Sequence, residues 1–267
     1  MSNNKIAIIG GGNLGAYIAE GLIQSGFVQA QQITITKRNL QTIQHLADKG
    51  VNVTSNNVAA VKEAQYVILA VKPFQIKDIL TEIKPGLDSN QHTIISVATG
   101  VWLKDMEAIV GANFALFRAM PNTAISIGQS MTCICSNTEA NKQVGFVTDL
   151  FNQLGKTILI DEKLMDAAAV LGACGTAYAL RYIRANIQGG IEIGFSAAQA
   201  SLIAAQTVKG AADLLLTKNT HPEQEIDKVT TPMGCTIAGL NEMEHQGFSS
   251  SLIRGLTTSF QKIKKDM

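Results

Sequence analysis

Aromatic residues make up only 5% of this 267-residue chain, and it holds just four cysteines and four histidines. Its 22 lysines and arginines are nearly cancelled by 21 aspartates and glutamates. A formal net charge of +1 leaves no broad electrostatic footprint for nucleic acid or an anionic membrane. The longest uncharged stretches, residues 167–180 and 193–208, fall short of the roughly 20 apolar residues that a membrane span needs, and they carry Gly, Ser, Thr and Gln. The opening "MSNNKIAIIGGG" has no basic segment followed by an apolar core, so no signal or transit peptide is expected, and the chain is expected in the cytoplasm. Cys133 and Cys135 alternate in "SMTCICS" and would share one strand face. No second pair or histidine cluster completes a zinc site, so no metal is expected, and the thiols read as buried or idle in a reducing cytosol. His45, His92, His221 and His245 each lie beside polar helix or loop residues and read as surface groups.

What remains is an apolar-rich composition, 46% hydrophobic, arranged in two distinct patterns. In the first 160 residues, short apolar runs alternate with helical periodicity. "KIAIIG", "ITIT", "VNVT", "YVILAV", "HTIISV", "FALFRAM", "SMTCICS" and "TILI" read as strands. Between them, residues 14–25, "LQTIQHLADKG", a segment from Asn57, residues 76–83, residues 102–110 and a stretch ending at Leu154 read as helices. Such alternation implies a mostly parallel, doubly wound sheet covered on both faces. Beyond residue 160 the strand signal stops. Apolar residues at Ala173, Ala177, Leu180, Ile183, Ile187 and Ile191 recur at helical spacing, and Gly189 and Gly190 inside that helix imply a close helix contact. "SAAQASLIAAQTVKGAADLLL" is a second long helix with Ser196 as its N-cap, and three more follow. The expected layout is an α/β Rossmann-type domain over 1–160 and an all-helical domain over 161–267. Helices this apolar, with no sheet to cover, imply burial against another copy of the chain, a homodimer or a larger assembly.

"AIIGGGNLG" places Gly10, Gly12 and Gly15 at the spacing of a dinucleotide-binding turn, after a strand and at the opening of a helix. The first glycine makes the tight turn, the second admits the pyrophosphate and the third lets the helix pack on the strand. At the end of the second strand, NAD-binding chains place an acid for the ribose hydroxyls. Here "ITITKRN" offers Lys37 and Arg38, and no carboxylate occurs from Gly21 to Ala47. A cationic pair suits the 2′-phosphate of NADPH and leaves NADH the weaker cofactor.

Three further stretches, "AVKP" (Ala70, Val71, Lys72, Pro73), "AMPNT" at residues 119–123 and above all "TTPMGCTIAGLNEMEHQGF", resemble the pyrroline-5-carboxylate reductase family along essentially the whole chain. That resemblance implies reduction of 1-pyrroline-5-carboxylate to L-proline with NADPH. It places Ile9, Gly10, Gly11, Gly12, Asn13 and Leu14 on the cofactor diphosphate, with Lys37 and Arg38 on the 2′-phosphate and Asn57 as a further cofactor contact. Ala70, Val71, Lys72, Pro73, Ala98 and Thr99 fall on the nicotinamide side. Thr236 matches the threonine near the substrate's ring nitrogen, Gly234 and Cys235 supply backbone near its carboxylate, and Glu162 matches a carboxylate at the substrate site.

The chemistry suits a chain without a candidate catalytic histidine. Hydride addition to a ketone leaves an alkoxide that needs a general acid, whereas a protonated cyclic imine becomes a neutral amine directly. Orientation and charge complementarity then suffice, with Thr236 holding or relaying a proton at nitrogen. Thr236 also reads as a residue of a helix N-terminus, as Thr231 ahead of Pro232 suggests. Departures from the family pattern are "GACGTAY" at 172–178, where serines and a proline are usual, Ala124 for a proline and Met233 for a glycine. These leave open a reductase of a different cyclic imine and a non-catalytic NADP-binding regulator. A β-hydroxyacid dehydrogenase, which uses a helical lysine with an asparagine one turn on, finds only Lys163 with Asp166 here.

Overall fold

The computed structural model describes residues 4–138 and 141–266. Contacts divide the chain into two units, Met1–Cys174 with Ile263–Met267, and Gly175–Lys262. The first unit carries one sheet in the order β3-β2-β1-β4-β5-β6-β7-β8. Its strands are β1 (Ile6–Ile9), β2 (Ile33–Thr36), β3 (Asn52–Thr54), β4 (Tyr66–Leu69), β5 (Thr93–Ser96), β6 (Ala115–Met120), β7 (Ser130–Ser136) and β8 (Gly155–Leu159). Neighbours pair in parallel except β6 with β7, which run antiparallel.

β1 shows why a continuous apolar run becomes a central strand. Ile6 and Ile8 share one core with Ile18 and Leu22 of α1 (Asn13–Gln24) and with Val147 and Leu150 of α6 (Asn141–Asn152). Ala7 and Ile9 share the opposite core with Leu80 of α4 (Ile76–Ile83) and Met106 of α5 (Leu103–Val110). Alternate side chains point to opposite faces, so a strand covered on both has no place for a polar residue. Each fully buried Ile or Leu contributes roughly 1.5–3 kcal/mol. The chain builds β1, β2 and β3 outward, then returns to lay β4 on the other side of β1. The carboxyl ends of β1 and β4 therefore flank the point where strand order reverses, the usual ligand crevice of an open α/β sheet.

Three local expectations change. "LQTIQHLADKG" is not one helix: a tight 3-10 turn at Leu40–Ile43 precedes a single α-turn, α2 (Gln44–Ala47). The Asn39 side chain accepts from Gln41 N–H and the Thr42 hydroxyl donates back to Asn39 O, holding the chain in the tighter turn. The helix expected from Ala173 starts at Gly175, after a wide π-helical turn at Ala169–Cys174. His92 is no surface group. It is 3% exposed, its Nδ1 accepts Asp88 N–H at 2.8 Å, and its Nε2–H donates to Val61 O at 2.9 Å. The ring thus clasps α3 (Asn57–Lys62) to the loop ahead of β5, and the polar sequence around it concealed this.

The second unit is helical: α8 (Gly175–Glu192), α9 (Ala197–Lys218), α10 (Pro222–Val229), α11 (Cys235–His245) and most of α12 (Phe248–Asp266), with α7 (Met165–Ala168) preceding it in the first unit. Ser196 caps α9, accepting Gln199 N–H. A Cβ on Gly190 would lie 3.0 Å from Ala200 Cβ, so this glycine lets α8 approach α9 closely, while Gly189 faces open space. The unit has almost no core of its own. α8 buries none of its residues and α9 only Ala200 and Ala204, while Leu180, Ile193, Leu202 and Leu216 stand 60%, 78%, 72% and 81% exposed. No helix among the described residues is long and apolar enough to cross a membrane.

Candidate functional site

The glycine turn at the end of β1 is built around close approaches. Gly10 has φ +112°, and a Cβ there would lie 2.5 Å from Ala70 O and 2.8 Å from Val71 Cγ1. Its N–H donates to Thr36 Oγ1 at 3.3 Å, Gly11 N–H donates to Thr36 O at 2.6 Å, and Ala70 N–H donates to Ile9 O at 2.8 Å. β1, β2 and β4 are thereby locked together at their carboxyl ends. A Cβ on Gly15 would strike Gly10 O, which is why α1 can lie directly on the turn. Gly12, by contrast, has nothing within 4 Å of the Cβ position: its glycine keeps a space clear. α1 opens there with no side-chain cap and no acid in its first turn. Its first N–H groups, around Asn13 and Leu14, are orphan donors at the positive end of the helix dipole. Open space over Gly12 and uncapped donors beside it fit a diphosphate.

The other expected cofactor residues fall along the same edge. Lys37, whose N–H donates to Thr54 O at 3.1 Å, and Arg38 follow β2, and among the described residues neither has a carboxylate partner. Asn57 opens α3 after β3; its Nδ2 donates to both carboxylate oxygens of Glu82 at 3.2 Å, while Asn56 provides the cap. Val71, Lys72 and Pro73 follow β4, with Lys72 N–H donating to Gln75 Oε1 at 3.2 Å. Ala98 and Thr99 follow β5; Ala98 N–H donates to Ser96 Oγ at 3.3 Å, and the Thr99 hydroxyl lies 3.7 Å from Met120 Sδ. Five adjacent parallel strands bring all of these residues to one rim.

Glu162, expected at the substrate site, has two partners that sequence reading did not foresee. Its Oε1 accepts Leu103 N–H at 2.7 Å and Arg118 Nη1–H at 3.0 Å, all within the first unit. Arg118 is 1% exposed and lies over the Trp102 ring, 5.2 Å from its centroid. Sequence reading passed over Arg118, although a lone cation inside the apolar run "FALFRAM" was the signal. Cys135 stands close to this pair: burial first, then the Glu162 charge, push its thiol up to about 11, so it stays protonated and inert at neutral pH. Cys133, its neighbour on the same face, is also pushed up by burial. Lys163 pairs with Asp161 at 2.8 Å on the surface, while Asp166 is buried, so the two do not form a catalytic couple. Among the described residues no group of His, Cys, Asp or Glu could hold a metal.

In the helical unit, the N-cap of α11 is Gly234, with Cys235 first and Thr236 second in the helix. Thr231 is not the cap: its carbonyl accepts Gly234 N–H at 2.9 Å, closing a turn ahead of the helix. A Cβ on Gly234 would lie 2.5 Å from Thr231 Oγ1, so the close turn needs a glycine. α11, too, starts with no side-chain cap and no acid in its first turn, which leaves donors for a carboxylate. Met233, the residue standing where the family has glycine, has φ +62° and is fully exposed. The left-handed conformation costs a side-chain-bearing residue roughly 1–2 kcal/mol. Met233→Gly should therefore raise unfolding free energy by about 1 kcal/mol in urea denaturation, the remainder being lost to glycine's freer unfolded chain. An unchanged or lowered midpoint would show that the turn is unstrained.

"GACGTAY" spans the π-helical turn and the start of α8. Asn122 Nδ2 of the "PNT" turn donates to Gly172 O at 3.2 Å, and Tyr178 Oη and Ser259 Oγ, 2.5 Å apart, tie α8 to α12. Wide turns of this kind recur at functional sites. The second half of this turn, Gly172–Cys174, is made of small residues.

Residues 162–266 match a family model described as pyrroline-5-carboxylate reductase dimerisation, and residues 5–100 match one described as NADP oxidoreductase coenzyme F420-dependent. The chain is 47% identical to pyrroline-5-carboxylate reductase 1 of Dictyostelium discoideum over 98% of its own length, although it spans only 50% of that relative. It is 44% identical to pyrroline-5-carboxylate reductase 2 of the same organism, covering 99% of this chain and 94% of the relative. A pyrroline carboxylate reductase of Plasmodium falciparum, solved with NADP bound, superposes with a TM-score of 0.88 at 26% identity, over 99% of this chain and 98% of that one.

Proposed function

The chain belongs to the pyrroline-5-carboxylate reductase family, and from that premise we propose that it is an NADPH-dependent oxidoreductase that reduces 1-pyrroline-5-carboxylate to L-proline, the last step of proline biosynthesis. When bound, the cofactor supplies a hydride to the imine carbon. Residues 1–160 hold NADPH: Ile9 to Leu14 take the diphosphate, Lys37 and Arg38 the 2′-phosphate, and Asn57 a further contact. Ala70, Val71, Lys72, Pro73, Ala98 and Thr99 line the nicotinamide side. Residues 161–267 bind substrate and dimerise. Gly234 and Cys235 bring the backbone at the start of α11 to the substrate carboxylate, with the N–H groups from Cys235 onward as donors because that of Gly234 is held by Thr231 O, and the Thr236 hydroxyl holds or relays the proton at the ring nitrogen. No strong acid is needed, because reduction of the protonated imine leaves a neutral amine.

The observation that carries this reading is the uncapped start of α11, where free backbone donors and the Thr236 hydroxyl meet within two residues. A homo-oligomer is supported by the near-absence of buried residues in α8 and α9, whose exposed Leu180, Ile193, Leu202 and Leu216 need a covering surface. The four free cysteines suit a cytoplasmic enzyme. Purified protein given NADPH and the imine should consume cofactor and form proline. No turnover with it, beside good turnover with another cyclic imine, would transfer the assignment to that substrate, a reading that the small-residue turn at Gly172–Cys174 favours. NADPH binding without reduction across a panel of imines would leave a non-catalytic binding protein.

A further inference from the structure

We propose that Arg118 and Glu162 form a positioning pair that holds the turn carrying Ala98 and Thr99. The proposal rests on the imine-reductase reading above, in which that turn lines the nicotinamide side. Both ends of the turn are tied to β6. At its start, the Thr99 hydroxyl lies 3.7 Å from Met120 Sδ. At its end, Leu103 N–H donates to Glu162 Oε1 at 2.7 Å, and the same oxygen accepts from Arg118 Nη1 at 3.0 Å. The Trp102 ring lies under the Arg118 guanidinium, and the Trp102 backbone N–H donates to Asp105 Oδ2 at 3.2 Å. Arg118 and Met120 are two residues apart on β6, so they project from the same face of the strand. One carboxylate oxygen thus ties the first residue of α5, and through it the preceding loop, to a cation that is itself 1% exposed and packed within the first unit.

This assigns Glu162 a job that depends on reach, where its family position suggested a charge beside the substrate nitrogen. Two conservative variants separate reach from charge. Glu162→Gln keeps an oxygen at the same distance and loses the charge. Glu162→Asp keeps the charge and is one methylene short. If Glu162 positions the turn, Glu162→Gln retains kcat within about threefold, whereas Glu162→Asp lowers kcat about tenfold or more, since small misplacements at a reacting centre are costly. NADPH affinity, measured by fluorescence, stays within about twofold in both, because the diphosphate and 2′-phosphate contacts are remote from this turn.

A second readout needs neither substrate nor cofactor. Amide hydrogen exchange at Leu103 should quicken in Glu162→Asp and stay slow in Glu162→Gln. Thermal stability should follow the opposite order, because Glu162→Gln leaves buried Arg118 without its counter-charge. Three results would overturn the proposal: kcat losses that track the loss of thermal stability, a slower Glu162→Gln with a raised KM for the imine, or two variants that both behave as the unaltered chain. If the unaltered chain fails to reduce the imine, the functional reading falls by itself, and exchange at Leu103 still decides whether Glu162 holds the turn.

Discussion

Replacing Thr236 with alanine is expected to lower kcat for imine reduction about 100-fold, the scale of a lost proton-transfer or hydrogen-bonding group at a reacting centre. NADPH affinity should stay within about twofold. The reason is position: Thr236 is the second residue of α11, whereas every residue assigned to the cofactor lies on the rim of the first unit. Alanine is also an excellent helix former, so α11 itself should persist. Thr236→Ser, which keeps the hydroxyl, should recover most of the rate. Equal losses of turnover and NADPH affinity in Thr236→Ala, or a serine variant as slow as the alanine, would show that the hydroxyl has no part in the reaction.

The second large effect concerns cofactor choice. Lys37→Ala with Arg38→Ala should weaken NADPH about 100-fold or more, since each charge-assisted hydrogen bond to a phosphate is worth roughly 1.5–3 kcal/mol. NADH, which has no 2′-phosphate, should change by less than about threefold. The geometry makes the pair a clean target. Among the described residues neither cation has a carboxylate partner, so removing them strands no buried charge. The backbone of Lys37 is held independently by Thr54 O, and so the strand end should keep its shape. The affinity should also fall with added salt in the unaltered chain and much less in the variant. Parallel weakening of both cofactors would remove the assignment of "ITITKRN" to phosphate recognition.

How much of this was readable without coordinates follows from the range of each interaction. The strand "IAII" announced a two-faced burial, because the pleat imposes a period of two whatever lies around it. Ser196 announced the start of α9, because capping is settled within three residues. The glycine turn was equally local: Gly10 needs its φ and Gly12 its empty space. His92 was not readable, since its neighbours are polar and its partner Val61 lies 31 residues away. Arg118 was missed for the same reason. A cation in an apolar strand is a visible oddity, but its partner Glu162 is 44 residues on and its stacking partner Trp102 lies in another element.

By itself, then, the sequence determined those features whose cause is local or periodic: a doubly wound sheet, a helical second half, a glycine turn after the first strand, a pair of cations after the second, and the family's C-terminal signature. Only the tertiary structure decided how side chains distant in sequence are spent. It brought Glu162 onto Leu103 N–H at the start of α5 and onto Arg118 of β6. It buried a histidine that polar neighbours had placed on the surface, and it set Met233 in a conformation that a glycine would adopt without strain. The physical reason is that a hydrogen bond or an ion pair depends on where two groups arrive in space, and a chain specifies that only through the whole of its packing.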